Sequence, residues 1–439
     1  MNRETRDSKQ LRVVHLNASS AGGAFVAAQR LSVALDQLPG VESQHWVFEG
    51  GEGDFHLWAS SWLKRKWAFG LHALEKLDFL RFESDKSVRF AFSHGKTGVN
   101  VSVWKAIAEA DVVHLHWVNK GFVSLGGLEA LMCLNKKVVW TCHDMWPFTG
   151  GCYHPRGCDH FEGGCGNCHY LKVPGERDLS RRVFSAKQSM YAVAGSQLQF
   201  VTPSQWLREQ ALKSGAPTIE QRDCIAVIPN PIDTDYFRPA EQDSVGMKAK
   251  PFTVDMQGAS EESFVLMFAA ANLGNVAKGF AEFRLICNSL YDMGYTQLHA
   301  LVVGENRLGD LGLKCSFTEL GFIADAQRMR DAYWQADVYV TTSHEENLPT
   351  TIMESLSCGV PVAAFAVGGI PEMIESEGAA NTGWLAPKMD TQTLIDGIAD
   401  YFNSRAEVRS EMSSRCRLSA IEKYAGAGVA KRYLAVYGI

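Results

Sequence analysis

SHEENLPTTIMESLSCGVPVAAFAVGGIPEMI (343–374) decides how this chain is read. An apolar strand ends near Ser343, a polar loop carries Glu346, and a second apolar run begins at VPVAAFAV (360–367). Between them the pattern predicts a helix that starts at Pro349, whose fixed φ suits a first turn, and stops at Cys358 before Gly359. Glu354 falls inside that helix, eight positions beyond Glu346. The first amides of a helix lack intrahelical partners, so those of Thr350 and Thr351 offer an anion site that the macrodipole favours. A carboxylate beside such a site is not expected if the helix end only holds anions. It suits the hydroxyls of a sugar or a ribose.

The same rhythm of apolar strand and amphipathic helix runs outward in both directions. RVVHLN (12–17), DVVHLHW (111–117), KVVWTCHD (137–144) and QFVTPS (199–204) precede a Pro-rich bridge, VIPNPIDTDYFRP (227–239). SFVLMFAAA (263–271), HALVVGE (299–305), ADVYVTTS (336–343) and VPVAAFAV follow it. Near-continuous Val, Ala and Leu runs belong to parallel sheets covered on both faces. At 439 residues the chain exceeds one comfortable core. The expected fold is therefore α/β: two doubly wound Rossmann-like domains facing across a cleft, with ligands at the strand carboxyl ends.

The 343–374 stretch resembles the retaining GT-B glycosyltransferases of family four, whose fingerprint is a Glu-x7-Glu pair followed by small-Cys-Gly-x-Pro-Val. Here it stands as Glu346, Glu354, Cys358, Gly359, Pro361 and Val362. VTPSQWL (201–207) and IPNPIDTDYF (228–237) match the family's domain-crossing segment, KGF (278–280) its phosphate lysine, and GFIADAQRMRDAYWQADVYV (321–340) the stretch before the Glu pair. The resemblance implies transfer of a sugar, with retention, from a nucleotide-diphosphate donor of the UDP or GDP type. Glu346 would contact the donor sugar and Glu354 the ribose, with Asn347 and Leu348 beside them. Lys278 would neutralise the diphosphate, Gly22 and Gly23 would let backbone approach it, and the backbone at Phe322 and Ile323 would meet the base. His116 matches the family's histidine near the anomeric carbon. The expected domains are 1–220 on the acceptor side, with a closing helix 420–439 packed back on it, and 221–419 for the nucleotide sugar. No cofactor is expected for the chemistry.

Two positions depart from the family: Asn272 stands where an arginine is usual, with Arg307 as a substitute cation, and Pro349 often gives way to glycine. Asp233-Thr234-Asp235 imitates a metal-binding Asp-x-Asp but sits in the crossing segment, where turn and capping roles fit better. A GT-B sugar-nucleotide epimerase and a non-catalytic sugar-binding protein with a degenerate site are the competing readings. The stretch around Gly22 is not G-x-G-x-x-G and no acidic ribose partner follows it, which sets a dehydrogenase aside.

Composition narrows the setting. Hydrophobic residues make up 46%, charged residues 21%, and the net charge is -6. A chain of this charge is not built to coat nucleic acid. The polar start MNRETRDSKQ lacks the apolar core of a secretory signal. Eleven scattered cysteines fit a reducing compartment, so the expected location is cytoplasmic, on the inner face of the plasma membrane if the chain touches lipid. HLWASSWLKRKWAFGLHALEKLDFLRF (56–82) puts Leu63, Trp67, Leu71, Leu74 and Leu77 on one helical face, with Arg65 and Lys76 opposite. It reads equally as an interfacial membrane helix and as a surface helix packed on its own domain.

HDMWPFTGGCYHPRGCDHFEGGCGNCH (143–169) holds Cys152, Cys158, Cys165 and Cys168 at C-x5-C-x6-C-x2-C. The spacing fits a structural four-thiolate zinc, with His154, His160 and His169 as alternative ligands. A redox pair at Cys165 and Cys168, or plain thiols, are the other readings. The stretch follows an expected strand of the N-terminal domain, which the GT-B resemblance implies receives the acceptor, so His143, Asp144 and Trp146 are candidate acceptor contacts. Trp146 and Phe148 read equally as anchors of the loop. HDMWPFTGGC with clustered cysteines resembles a bacterial branch of family four that builds surface polysaccharides, which implies a lipid-linked glycan acceptor.

Overall fold

The computed structural model describes residues 10–240, 256, 258–260 and 262–438; the polar segment 1–9, read above for targeting, lies outside the described residues. The chain divides into two compact units, Met1–Pro231 with Gly426–Ile439, and Ile232–Ala425.

In the first unit, β1 (Leu11–Ser19), β2 (Val41–Glu49), β3 (His56–Leu57), β4 (Val112–Leu115), β5 (Lys137–Thr141), β6 (Leu198–Thr202) and β7 (Ala226–Val227) form one sheet. Their order is β3-β2-β1-β4-β5-β6-β7 and every pairing is parallel. The strands are apolar throughout because both faces are covered: Val13, Leu16, Val113 and Leu115 are fully buried. The order reverses between β1 and β4, which makes their carboxyl ends the natural place for a ligand. VVHL occurs in both strands, and the register sets the copies side by side, Val13 against Val112 through Leu16 against Leu115.

The Gly426–Tyr437 helix belongs to this unit. Val429, Ala430, Tyr433 and Tyr437 pack with Val13, Val139 and Val201. The boundaries differ from the sequence reading at two places. Residues 221–231 stay with the first unit because β7 pairs with β6, Val201 against Ala226. Residues 420–425 go to the second, where the Tyr424 carbonyl accepts from the Ile232 amide at 2.9 Å.

The second unit repeats the plan with β8 (Phe264–Asn272), β9 (Leu298–Glu305), β10 (Ser316–Gly321), β11 (Val338–Thr341), β12 (Val362–Phe365) and β13 (Gly383–Ala386). The order is β10-β9-β8-β11-β12-β13, again all parallel, and it reverses between β8 and β11. Its core gathers the strand residues with Phe280, Phe283 and Ile286 from the Phe280–Asp292 helix and Ile352, Met353 and Leu356 from the Thr350–Ser357 helix.

One helix breaks the usual rule for burial. Trp62–Phe79 is capped by the Ser61 hydroxyl and buries only Ala68, Glu75 and Phe79. Trp62, Leu63, Trp67, Phe69, Leu74 and Leu77 are each more than half exposed, between 55% and 71%. The apolar stripe therefore points outward, and of the expected stripe only Leu71 packs on the core. No helix among the described residues is long and apolar enough to cross a membrane.

Candidate functional site

The second unit carries its candidate groups on two neighbouring loops at the β8/β11 reversal. After β8 the chain turns through Val276–Lys278 into Gly279, which has φ 76° and leads into the Phe280–Asp292 helix. A Cβ on Gly279 would stand 1.9 Å from the Thr342 carbonyl oxygen, so only glycine lets the two loops touch. The Thr342 hydroxyl donates to the Gly279 carbonyl at 2.6 Å and the His344 amide to the Ala277 carbonyl at 2.8 Å. That contact brings Lys278 to Glu346: Nζ lies 2.5 Å from Oε1, in a half-open setting. Gly368 holds the other side, since a Cβ there would stand 1.6 Å from the Glu346 carbonyl oxygen. Its role was not read from AVGGIPE, although a Gly-Gly pair after a strand is a turn signal.

The helix after Glu346 spans Thr350–Ser357, with Pro349 as its cap residue and no side-chain cap. The start is one residue later than expected, and Gly359 follows with φ 75°. Thr350 and Thr351 keep first-turn amides at a partly exposed helix start, as the sequence implied. Glu354 is 7% exposed and its Oε2 accepts from the Tyr333 hydroxyl at 3.3 Å. Asn347 and Leu348 are buried beside it, and the Asn347 carbonyl accepts from the Gly369 amide. Phe322 is exposed just beyond β10, while Ile323 packs on the core.

Asn272 caps its own turn by accepting from the Gly274 amide at 2.8 Å. It is the register partner of Glu305, to which Arg307 donates twice at 2.8 and 3.0 Å. The candidate cation is thus on the adjoining strand end, held by an acidic neighbour. Asp233 accepts from the Asp235 and Tyr236 amides, a turn role.

In the first unit the Gly23–Asp36 helix starts at the end of β1 with Gly22 as a cap residue lacking any side-chain bond. A Cβ on Gly22 or Gly23 would meet nothing within 4 Å, so the backbone there faces open space. Beside it, at the ends of β1, β4 and β5, lies a stack of imidazoles that the sequence reading resolved only in part. His15 Nδ1 is 3.0 Å from His116 Nε2, and His116 Nδ1 is 3.0 Å from His143 Nε2. His114 is fixed by the Tyr437 hydroxyl at 2.8 Å and the Thr141 hydroxyl at 2.7 Å. His15, His114 and His116 are almost wholly buried, and burial holds their pKa values well below the ordinary range. Burial likewise lowers half-buried His143 to about 4.

This geometry corrects two expectations. His116, expected against the reacting carbon, is 3% exposed and both its ring nitrogens are taken by imidazoles. The accessible end of the chain is His143. Trp146, expected to stack on a sugar, is 1% exposed, donates to the Ser93 carbonyl at 2.9 Å and carries the Lys187 ammonium 3.5 Å above its ring. Its anchoring role prevails because Trp146–Phe148 turns straight into the core. Asp144 stays half-buried, accepting from the Trp146 amide at 2.8 Å and from Trp117 Nε1 at 3.1 Å. Burial raises its pKa. Trp117 and His15 were missed; the duplicated VVHL was the available signal.

Cys152, Cys158, Cys165 and Cys168 line one small cavity of about 20 Å³, with His160 and Tyr170 in its wall. None is in a disulfide. Among the described residues, three metal-ligand atoms within 4.8 Å of one another occur at His15, His114 and His116, not at the thiols. Burial pushes the Cys165 thiol up to about 12 and the Cys168 thiol to about 11. A redox nucleophile needs the opposite shift.

Comparison with known proteins follows the division into units. Residues 91–236 match the family model for Glycosyltransferase Family 4, and residues 265–404 that for Glycosyl transferases group 1. The chain is 24% identical over 290 residues to a protein of Escherichia coli K12 named for colanic acid biosynthesis, glycosyl transferase WcaC, covering 61% of each chain. It is 27% identical over 209 residues to the UDP-Gal:alpha-D-GlcNAc-diphosphoundecaprenol alpha-1,3-galactosyltransferase of Escherichia coli, covering 44% of this chain and 48% of that one. The chain thus spans three fifths or so of the first relative's length and about half of the second's. Among solved structures, Anabaena HepE in complex with UDP has a TM-score of 0.58 at 16% identity, over 97% of this chain and 99% of that one. WaaG, a glycosyltransferase of lipopolysaccharide biosynthesis, has a TM-score of 0.58 at 13% identity, with 97% and 99% covered. At these identities the structural likeness is one of fold, and the fold is GT-B.

Proposed function

We propose that this chain, with a family 4 glycosyltransferase domain in its first unit and a group 1 domain in its second, transfers a sugar from a nucleotide-diphosphate donor to a glycan acceptor with retention of configuration. The observation that carries the reading is the Lys278–Glu346 pair at 2.5 Å, set at the strand-order reversal beside the Thr350–Ser357 helix start. A donor diphosphate takes Lys278 as its counter-ion and the first-turn amides as donors, and it releases Glu346 to accept from the sugar hydroxyls. Glu354, held by the Tyr333 hydroxyl, accepts from the ribose. The leaving diphosphate helps to deprotonate the incoming hydroxyl on the same face of the sugar.

UDP is the donor type we favour, since HepE is described with UDP and UDP-glucose and one relative is named for UDP-Gal. A polysaccharide intermediate on a diphosphate-linked lipid is the proposed acceptor class, from the names of the same relatives. In the first unit, His143 and Asp144 are the acceptor contacts and His116 acts through His143. A thermal-shift panel tests the donor: UDP-sugars should raise the melting temperature and GDP-sugars leave it unchanged. Transfer with labelled donor, followed by determination of the product's anomeric configuration, tests the reaction. Inversion, or interconversion of the donor sugar without an acceptor, would overturn it.

The same proposal includes membrane contact through Trp62–Phe79. Six large apolar side chains face outward there, and Lys66 and Lys64 lie over the rings of Trp62 and Trp58 at 4.1 and 5.3 Å. Aromatic residues with basic neighbours on one helix suit an anionic lipid surface, which is where a lipid-linked acceptor resides. Co-sedimentation with vesicles containing anionic lipid should be lost when Trp62 and Trp67 are changed to serine. Binding that survives both substitutions removes the helix from the proposal.

A further inference from the structure

We propose that Cys152, Cys158, Cys165 and Cys168 bind one zinc ion as a structural four-thiolate site that staples the segment between Phe148 and the Leu179–Ala194 helix. The inference does not depend on the transferase reading.

Residues 149–178 contain no helix and no strand. Thirty residues without regular structure inside a compact unit need another source of order. Its apolar anchors are few for its length: Tyr153, Phe161 and Cys165 reach one core cluster, and Cys152, Cys168, Tyr170 and Leu171 another. Between these anchors all four cysteines converge on the cavity of about 20 Å³. Two come from the first half of the segment and two from the second, so one ion at that point closes both halves at once. No disulfide does this work.

The backbone is shaped for the purpose. Gly164, Cys165, Gly166 and Asn167 have φ of 95°, 61°, 98° and 48°. Four successive left-handed residues curl the chain tightly, and Cys165 and Cys168 at the two ends of a C-x2-C spacing both line the cavity. Two of the four are not glycine, and such positions persist only where the surroundings hold them. The Gly150 amide donates to the Cys165 sulfur at 3.1 Å, the kind of bond that supports a ligating thiolate. At the root of the loop the buried Lys187 ammonium donates to the Trp146 and Thr149 carbonyls.

No three sulfurs stand within 4.8 Å of one another. A tetrahedral site needs sulfur separations of about 3.8 Å. All four cysteines line the same cavity, and in this proposal the ion draws their sulfurs together as it binds. The His15, His114 and His116 cluster is tighter but is not a better site. Its nitrogens are already spent on one another and on His143, Thr141 and Tyr437, apart from His15 Nε2.

The test uses the full chain purified under reducing conditions without chelator. Elemental analysis should give about one zinc per chain, and X-ray absorption at the zinc edge four sulfur neighbours at about 2.3 Å. Changing Cys165 and Cys168 together to serine should take the metal content to near zero, while changing His160 and His169 to alanine should leave it intact. If the double serine variant does not fold, Cys158→Ser is the gentler one, and it should surrender zinc to a competing chelator that the parent resists. Protein that is metal-free and takes up no added zinc overturns the proposal. So do bound iron, nitrogen among the ligands, disulfides among the four cysteines, or zinc retained without Cys165 and Cys168.

Discussion

The two strand-order reversals of this chain are built alike and furnished differently. At β8/β11 the chemistry-bearing groups are Lys278 and Glu346, long side chains on loops, half-open and paired with each other. At β1/β4 they are imidazoles, buried and bonded ring to ring, with one accessible end at His143. A surface ion pair adds little to stability, about 0 to 1 kcal/mol, so its members are free to exchange one partner for a ligand. A buried polar network is different: it stabilises only while every member is satisfied and neutral. The first arrangement is one that a ligand can enter at little cost to the fold, as the proposed function requires. The second is part of the fold, and it positions half-buried His143 at its end.

The largest effect that separates them is pH. The buried imidazoles of His15, His45, His114 and His116 are neutral in the folded chain, with His45 lowered to about 3. Unfolded histidine titrates near 6.5, so below that pH the unfolded chain binds more protons than the folded one. Stability is therefore full above about pH 6.5 and falls by about 1.4 kcal/mol per buried imidazole for each pH unit below it. Denaturant midpoints measured from pH 7.5 to 5 should drop steeply. Replacing His15 by leucine should flatten that slope, whereas Lys278→Met should leave it unchanged. Equal slopes in all three proteins would show that the stack carries no special share.

Activity should divide the other way. Glu346→Gln and Lys278→Met are each expected to lower transfer by about 10²- to 10³-fold, the usual cost of one preorganised charge or donor. Their melting temperatures should shift little, because the pair is half-open. A variant that loses both activity and several degrees of stability would make the two regions more alike than the geometry implies.

The smallest effect concerns Trp146. Trp146→Phe removes the donor to the Ser93 carbonyl and should cost about 1–3 kcal/mol of stability. Acceptor KM should stay unchanged, since the ring is inside the core. A raised KM at unaltered stability would return Trp146 to the acceptor surface.

The donor side was legible because its residues are close in sequence. Glu346, the helix start and Glu354 lie within one strand–loop–helix unit, where spacing alone sets relative position. Lys278 needed the family resemblance, and its contact with Glu346 depends on Gly279 and Gly368, whose close approaches are invisible without coordinates. The imidazole stack was legible only as a pair on one strand. His15 and His114 are about a hundred residues apart, and only the parallel register of β1 against β4 makes them neighbours.

By itself the sequence determined the strand runs, the doubly wound class and the Glu346–Glu354 helix, because each is a matter of local period, capping and spacing. It also supplied four cysteines on one loop. The tertiary structure alone decided that Trp146 is core, that His116 is enclosed by its neighbours, and that the stripe of Trp62–Phe79 faces outward. Burial is a property of what packs against a side chain, and for Trp146 and His116 that partner lies far along the chain.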